Sequence, residues 1–293
     1  MSPRFERIAC AQGCTLRDTE SGQSMHSTIG PESEAELVFV GPSRLRERLA
    51  ENRTDPLVLW DVGMGVAGNS ATAWEIARTA GNRPLEIHSF ERHPEALGLA
   101  LDELDAFAFL RPSSNDLRAL LSEGKVSSRN DRGIEHRWFL HSGDFDSRLD
   151  SAPSAELIYW DFYNPKVCPE LWSLELFTRV RAAAPRSRLY TYSAATPVRV
   201  GLLLAGFLVG RPFREGRATP IKADSTMAVA DLQEAGEIPE LLGAAWLEKL
   251  SRSTQFRPYG RSRFAWGATD FTSCSYAEIA EAISRLPQFS RLR

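Results

Sequence analysis

Short apolar runs alternate with stretches of helical spacing through most of the chain. Leu57-Val58-Leu59-Trp60 is apolar at every position, the mark of a strand covered on both faces. Leu85 to Phe90, Trp138-Phe139-Leu140-His141, Glu156 to Trp160 and Arg188 to Tyr192 read as four more strands. Between and after them come helical segments at about Asn69 to Thr79, Pro94 to Phe107, Pro169 to Ala184 (stopped by Pro185) and Pro197 to Ala205. Phe207-Leu208-Val209 and Met227-Ala228-Val229-Ala230 read as a terminal hairpin. This alternation predicts an α/β fold with a doubly wound, mostly parallel sheet and a C-terminal antiparallel hairpin.

The flanks are patterned differently. The first 35 residues are polar and turn-rich; Glu36 to Val40 reads as a short strand and Ser43 to Glu51 as a helix with Ser43 as its N-cap. Arg111 to Arg132 is polar, with a short helix expected at Asn115 to Leu121. From Gly236 the pattern becomes two helix-like segments around a basic, aromatic stretch, Gln255 to Trp266. The expected division is an N-terminal segment over 1–52, a nucleotide-binding main domain over 53–235 and a helical, basic appendage over 236–293.

Composition narrows the class. With 293 residues, 43% of them hydrophobic, the chain has enough apolar material for a full core, and a formal net charge of −3 argues against a dedicated, strongly basic nucleic-acid binder. A local basic patch is still allowed, because all but four of the 35 cations are arginine, which suits bidentate contact with phosphate. Genome-wide codon bias is the plainer explanation of that preference. Cys10, Cys14, Cys168 and Cys274 leave no second pair to complete a zinc site, so no metal is expected. Residues 1–10 lack the apolar run of a signal peptide, and Val200 to Gly210 is too short to span a bilayer. A reducing cytoplasm and no membrane association are therefore expected.

The strongest local signal is Asp61-Val62-Gly63-Met64-Gly65-Val66-Ala67-Gly68, which follows a strand and opens a helix. The spacing of Gly63, Gly65 and Gly68 also matches a dinucleotide fingerprint, so the turn by itself does not separate a nicotinamide cofactor from S-adenosylmethionine. Three acids stand at successive strand ends, where ligands of such sheets bind. Glu91 is placed to accept both ribose hydroxyls, Asp144 to accept the adenine amino group, and Asp61 to lie near a methionine end. With Gly63, Met64, Gly65 and Arg92 they form the candidate cofactor-binding set.

Asp161 ends the fourth strand, facing a cofactor's reactive end. Methyl transfer is an in-line displacement in which the enzyme positions a nucleophile and helps remove its proton. A carboxylate there binds an ammonium, orients its lone pair and receives the proton, with Tyr163, Asn164 and Trp172 as pocket walls. Asp161 is the candidate catalytic residue.

Three blocks resemble one family, the methyltransferase domain of the bacterial tRNA-modifying protein MnmC and its stand-alone relative MnmD. They are Met25-His26-Ser27-Thr28-Ile29-Gly30-Pro31-Glu32-Ser33-Glu34; Asp61 to Gly68 with Phe90-Glu91-Arg92-His93-Pro94; and Asp161-Phe162-Tyr163-Asn164-Pro165-Lys166-Val167-Cys168-Pro169-Glu170-Leu171-Trp172. The resemblance covers about residues 20–230. It implies a Rossmann-like class I methyltransferase fold, S-adenosylmethionine as cofactor, and methylation of the aminomethyl group of a modified wobble uridine. The tRNA would be held by its anticodon arm. It further implies that His26, Glu34, Phe162, Tyr163 and Trp172 line the substrate side. The chain would supply the methyl-transfer half only, with a separate FAD-dependent oxidase acting upstream. Three features depart from the pattern. Phe162 stands where the family keeps a small residue. The family turn, Gly-x-Gly-x-Gly or Gly-x-Gly-x-x-x-Asn, is filled here by Val66-Ala67-Gly68. The stretches Arg111 to Arg132 and beyond Gly236 have no clear counterpart.

A tRNA substrate calls for cations. Candidates are Arg129, Arg132 and Arg137; Arg211, Arg214 and Arg217; and Arg252, Arg257, Arg261 and Arg263, the last group interleaved with Phe256, Tyr259, Phe264 and Trp266. Taken singly, each cluster also fits an ordinary solvated face. The competing readings are a methyltransferase of the same family acting on another small-molecule or peptide amine, an NAD-dependent oxidoreductase, and a non-catalytic scaffold. The oxidoreductase is disfavoured by the lack of a Ser/Tyr/Lys hydride-transfer set, and the scaffold by the intact acidic set.

Overall fold

The structure, a computed structural model, describes residues 4–11, 13–26, 29–213, 224–260 and 274–290. The chain forms two compact units, Met1–Tyr163 and Asn164–Arg293. The first holds strands β1 (Phe5–Cys10), β2 (Gly13–Asp18), β3 (Leu57–Val62), β4 (Leu85–Glu91), β5 (Lys125–Arg129), β6 (Glu135–Ser142) and β7 (Leu157–Trp160). β1 and β2 pair as a separate antiparallel hairpin. The others run in the order β7-β3-β4-β6-β5. β7, β3, β4 and β6 are parallel, and β5 closes the edge antiparallel to β6.

The register shows how the apolar runs are used. Asp61 lies opposite Ser89 and Tyr159, so 57, 59 and 61 share one face with 85, 87 and 89. That face is covered by the helix Gly68–Ala80, which buries Ala71, Ala73, Trp74 and Ala77. Trp74 packs on Trp138 of β6 at 5.6 Å. On the other face Trp60, Phe90, Phe145 and Trp160 form an edge-to-face aromatic cluster with centroids 4.9 to 6.3 Å apart. Rings of this size carry most of the apolar area a core hides from water, and edge-to-face pairing adds roughly 0.5–1.5 kcal/mol per pair.

The second unit holds β8 (Arg188–Thr191), β9 (Leu208–Arg211), β10 (Thr226–Val229) and β11 (Glu240–Leu241). β10 pairs antiparallel with both β8 and β9, and β11 with β9. The expected terminal hairpin is thus β9 and β10. Helices Leu174–Ala183, Thr196–Leu204, Ala244–Ser251 and Tyr276–Ser284 also belong to this unit. The fold is of the α/β class that the alternation predicts.

Several local expectations are corrected. Glu36 to Val40 is not a strand: Ala35–Val40 forms a wide helical turn continuing the helix Pro31–Glu34. It buries Ala35, Val38 and Phe39, a spacing of three and four that a helix places on one side, and Val40 at its end. Ser43 does not cap the next helix. Its hydroxyl donates to the Val40 carbonyl at 3.1 Å and meets the Tyr159 hydroxyl at 2.7 Å, and Leu45–Ala50 starts after Arg44 at φ 52°. The helix expected from Pro94 to Phe107 covers only Glu95–Asp102. There the Glu103 carbonyl accepts from both Ala106 and Phe107, making a turn that buries Phe107. The segment Pro169 to Ala184 breaks at Ser173, whose hydroxyl caps Leu174–Ala183 by accepting from Leu176. Two polar stretches contain unexpected strands, β1–β2 and β5; the short helix in front of β5 spans Ser114–Glu123.

Candidate active site

The turn after β3 is shaped by contact with the end of β7. Gly63 sits at φ 87°, and a Cβ there would lie 2.8 Å from the Asp161 carbonyl oxygen. Only glycine allows both the left-handed angle and that approach. Gly65, at φ 56°, donates its N–H to Glu91 Oε2 at 2.8 Å. Glu91 Oε1 accepts from the His93 N–H, also at 2.8 Å. Ala67 takes φ 62° at the start of the helix, a conformation that costs a residue with a Cβ roughly 1–2 kcal/mol.

Asp61 is fully buried. Its Oδ2 accepts from Ser89 Oγ at 2.9 Å, and Ser89 Oγ in turn accepts from Trp138 Nε1 at 2.9 Å. Its Oδ1 makes no hydrogen bond of standard geometry, but the buried Ser70 hydroxyl acts on the same carboxylate as a second donor group. Burial pushes the Asp61 carboxyl up to about 6, against the pull of its hydroxyl donors. Asp161, half-buried at the end of β7, accepts from Asn69 Nδ2 at 2.8 Å through Oδ2. Burial pushes it up to about 7; the Asn69 hydrogen bond pulls down and the neighbouring Asp61 charge pushes up. Phe162 packs edge-on against Trp160 at 5.3 Å and Phe145 at 6.0 Å.

The nucleoside side is built at the ends of β4 and β6. The Gly143 N–H donates to the Glu91 carbonyl at 2.9 Å, which brings Asp144 beside Glu91. The Asp144 carboxylate pairs with Arg92, and both side chains are more than half exposed. Together the turn presents side-chain-free backbone at Gly63 and Gly65, the Glu91 carboxylate beside it, and the buried Asp61 carboxyl. That donor-poor, acceptor-rich set fits a ligand that brings vicinal hydroxyls and a cationic amino group, as S-adenosylmethionine does.

A family model described as S-adenosyl-L-methionine-dependent methyltransferase matches residues 132–225. Two relatives carry the name tRNA 5-methylaminomethyl-2-thiouridine biosynthesis bifunctional protein MnmC. The one from Methylibium petroleiphilum is 30% identical over 65% of this chain and 30% of its own length. The one from Cupriavidus necator is 33% identical over 64% and 29%. These matches support an S-adenosyl-L-methionine-dependent methyltransferase domain similar to that of MnmC. The chain spans about a third of the length of the curated relatives it matches. The crystal structure of MnmC2 from Aquifex aeolicus shares the fold, with a TM-score of 0.66 at 24% identity over 98% of this chain and 85% of that one.

Around this methyltransferase centre the N-terminal segment lies against the glycine turn. A Cβ on Gly68 would meet His26 Nε2 and Pro31 Cβ, each at 3.1 Å, and one on Gly65 would meet Met25 Sδ at 3.5 Å. His26 is 7% exposed, with its Nδ1 held 3.1 Å from Thr15 Oγ1 of β2. Glu34 is buried in the helix Pro31–Glu34. Tyr163 closes the first unit two residues after Asp161. In the second unit Trp172 is fully buried, packed edge-on against Tyr192 at 5.8 Å. Ser27 and Thr28 lie outside the described residues.

The basic candidates are largely paired. Arg129 bridges to Glu135, Arg137 to Glu86, Arg211 to Asp224 and Glu240, and Arg252 to Glu248. Arg132 donates to Asn82, and Arg257 lies over the Phe256 ring at 4.8 Å. Arg214, Arg217, Arg261, Arg263, Phe264 and Trp266 lie outside the described residues. No described helix is long and apolar enough to cross a membrane.

Asn69, Ser89 and Trp138 are polar members of the site that the strand-end acids did not announce. A signal for Asn69 was available: Gly63-x-Gly65-x-x-x-Asn69 satisfies the second form of the family turn. The dinucleotide spacing of Gly68, one residue earlier, overlaps that signal.

Proposed function

We propose that this methyltransferase acts on an amine, the aminomethyl group of a modified wobble uridine in tRNA. The observation that carries the reading is Asp161, at a strand end, with one carboxylate oxygen held by Asn69 and no described donor on the other. The relatives' printed name, which concerns 5-methylaminomethyl-2-thiouridine, supplies the acceptor. When bound, S-adenosylmethionine supplies a methyl carbon open to in-line displacement.

The chain's own residues do the rest. Asp161 binds the ammonium, frees its lone pair by taking a proton at Oδ1, and holds the nitrogen in line. A carboxyl raised to about 7 shares that proton more evenly with an amine than an ordinary aspartate does. The Gly63, Met64 and Gly65 backbone and the Glu91 carboxylate hold the cofactor's ribose and methionine parts, with Asp61 behind them. Asp144 and Arg92 border the adenine. His26, Glu34, Phe162 and Tyr163 are assigned to the acceptor side, and the anticodon arm is the part of the tRNA that reaches it. The substrate places the protein in the cytoplasm, and a separate FAD-dependent oxidase is the partner that frees the aminomethyl group.

The test is transfer of labelled methyl from S-adenosylmethionine to tRNA from a strain lacking this wobble methylation. Label in the wobble uridine is expected. No transfer, with cofactor binding intact, overturns the tRNA assignment. It would favour another amine, the reading to which Phe162 points, since its ring fills the place of a small family residue.

A further inference from the structure

Asn69 lies in the first turn of the helix that the cofactor turn opens, and it is 3% exposed. Its amide reaches from this helix to the end of β7 and donates to Asp161 Oδ2 at 2.8 Å. An aspartate has several rotamers available, and only some put its second oxygen toward an incoming amine. Among the described residues no donor reaches Asp161 Oδ1, so the Asn69 contact decides which oxygen is left for chemistry. The charged neighbour on β3 is Asp61, and beyond it Glu91 at the end of β4 bonds Gly65; both are acids and neither fixes Asp161.

We propose that Asn69 is a positioning residue for methyl transfer: it clamps Oδ2 of Asp161 so that Oδ1 alone meets the acceptor amine. The clamp rests on the reading of Asp161 given above, and it adds a coupling. The element that shapes the cofactor turn also orients the group that receives the proton, so the two halves of the site are set by one helix end. A hydrogen bond to the ionised carboxylate also favours that form, so its loss moves the carboxyl upward.

The experiment is a carbon-13 titration of the aspartate carboxyls in the cofactor-loaded protein, with the Asp161 signal identified by its loss in Asp161→Asn. It needs no acceptor, so it stands or falls separately from the tRNA assay. In Asn69→Ala the Asp161 midpoint is expected to rise by about one unit, the worth of one hydrogen bond to a charged group. The acidic limb of the kcat–pH profile should move with it, kcat should fall about tenfold or more, and cofactor affinity should stay within about twofold. Asn69→Asp keeps the shape but adds a like charge, and should raise the midpoint further. In the wild type the Asn69 side-chain amide signal should shift with the same midpoint as Asp161, a readout that needs no variant. An unmoved Asp161 midpoint, or an Asn69 amide silent through the titration, overturns the proposal. So does a loss of cofactor affinity as large as the loss of kcat/KM, which would make Asn69 a part of the turn alone.

Discussion

Two pairs of carboxyl groups line the same row of strand ends and are treated in opposite ways. Asp61, on β3, and Asp161, just after β7, are held by neutral donors (Ser89, Asn69), and burial raises both, to about 6 and about 7. Glu91, half-buried, and Asp144, exposed, stand at the ends of β4 and β6 and are held by backbone N–H groups and by the Arg92 guanidinium. A carboxyl kept from full charge by burial is suited to passing a proton. One surrounded by donors and solvent is suited to gripping hydroxyl and amino groups. Along a single edge the sheet thus sets apart two carboxyls raised by burial and two held by backbone N–H groups or an arginine.

That contrast can be broken in four places. The largest effect is expected for Asp161→Ala. Removing the proton acceptor should lower kcat by about 10²–10⁴-fold while cofactor binding, followed by calorimetry, persists. A parallel loss of binding would erase the distinction between the two pairs. Glu91→Ala should do the reverse, weakening cofactor affinity by about 10–100-fold, because the Gly65 and His93 N–H groups lose a charged acceptor. At saturating cofactor its kcat should hold.

The third effect is on stability. For Asp61 the folded value, about 6, exceeds the unfolded one, so between roughly pH 4 and 6 the folded chain binds more protons and stability falls as pH rises. Asp61→Asn removes the charge and should flatten that slope, leaving the variant relatively more stable at pH 8 than at pH 4 by up to about 3 kcal/mol in urea melts. Equal slopes in both proteins would mean that Asp61 is not strained by its burial. The smallest effect belongs to Arg92→Ala. Its pair with Asp144 is exposed, and such pairs contribute little, so cofactor affinity should change by less than about fivefold and lose its salt dependence.

The sequence announces the strand ends because burial on both faces leaves uninterrupted apolar runs, as at 57–60 and 157–160, and the acids that follow them are easy to see. It hides what depends on neighbours far along the chain. β5 has every second residue exposed and only half-buried ones between, so it carries no apolar signal and exists because β6 offers it a partner. Glu36 to Val40 is rich enough in β-formers to read as a strand, but the helix leading into it and the cover it gives the sheet decide otherwise. The sequence places Asp61 beside the ligand's methionine end; its complete burial depends on Ser89 and Trp138, each on a different strand. Burial of a particular acid is a tertiary property, and no local spacing encodes it.

The hairpin at the start of the chain stands apart from the main sheet, yet Thr15 within it braces His26, which fills the space against Gly68. Because strand side chains alternate between faces, one residue inserted in β2 ahead of Thr15 turns the hydroxyl to the wrong side and releases the histidine. A residue added ahead of Phe5 leaves the pairing untouched. Tolerance of insertions and deletions in this outlying ribbon is therefore graded one residue at a time, and the length of the segment is as much a part of the site's specification as its composition.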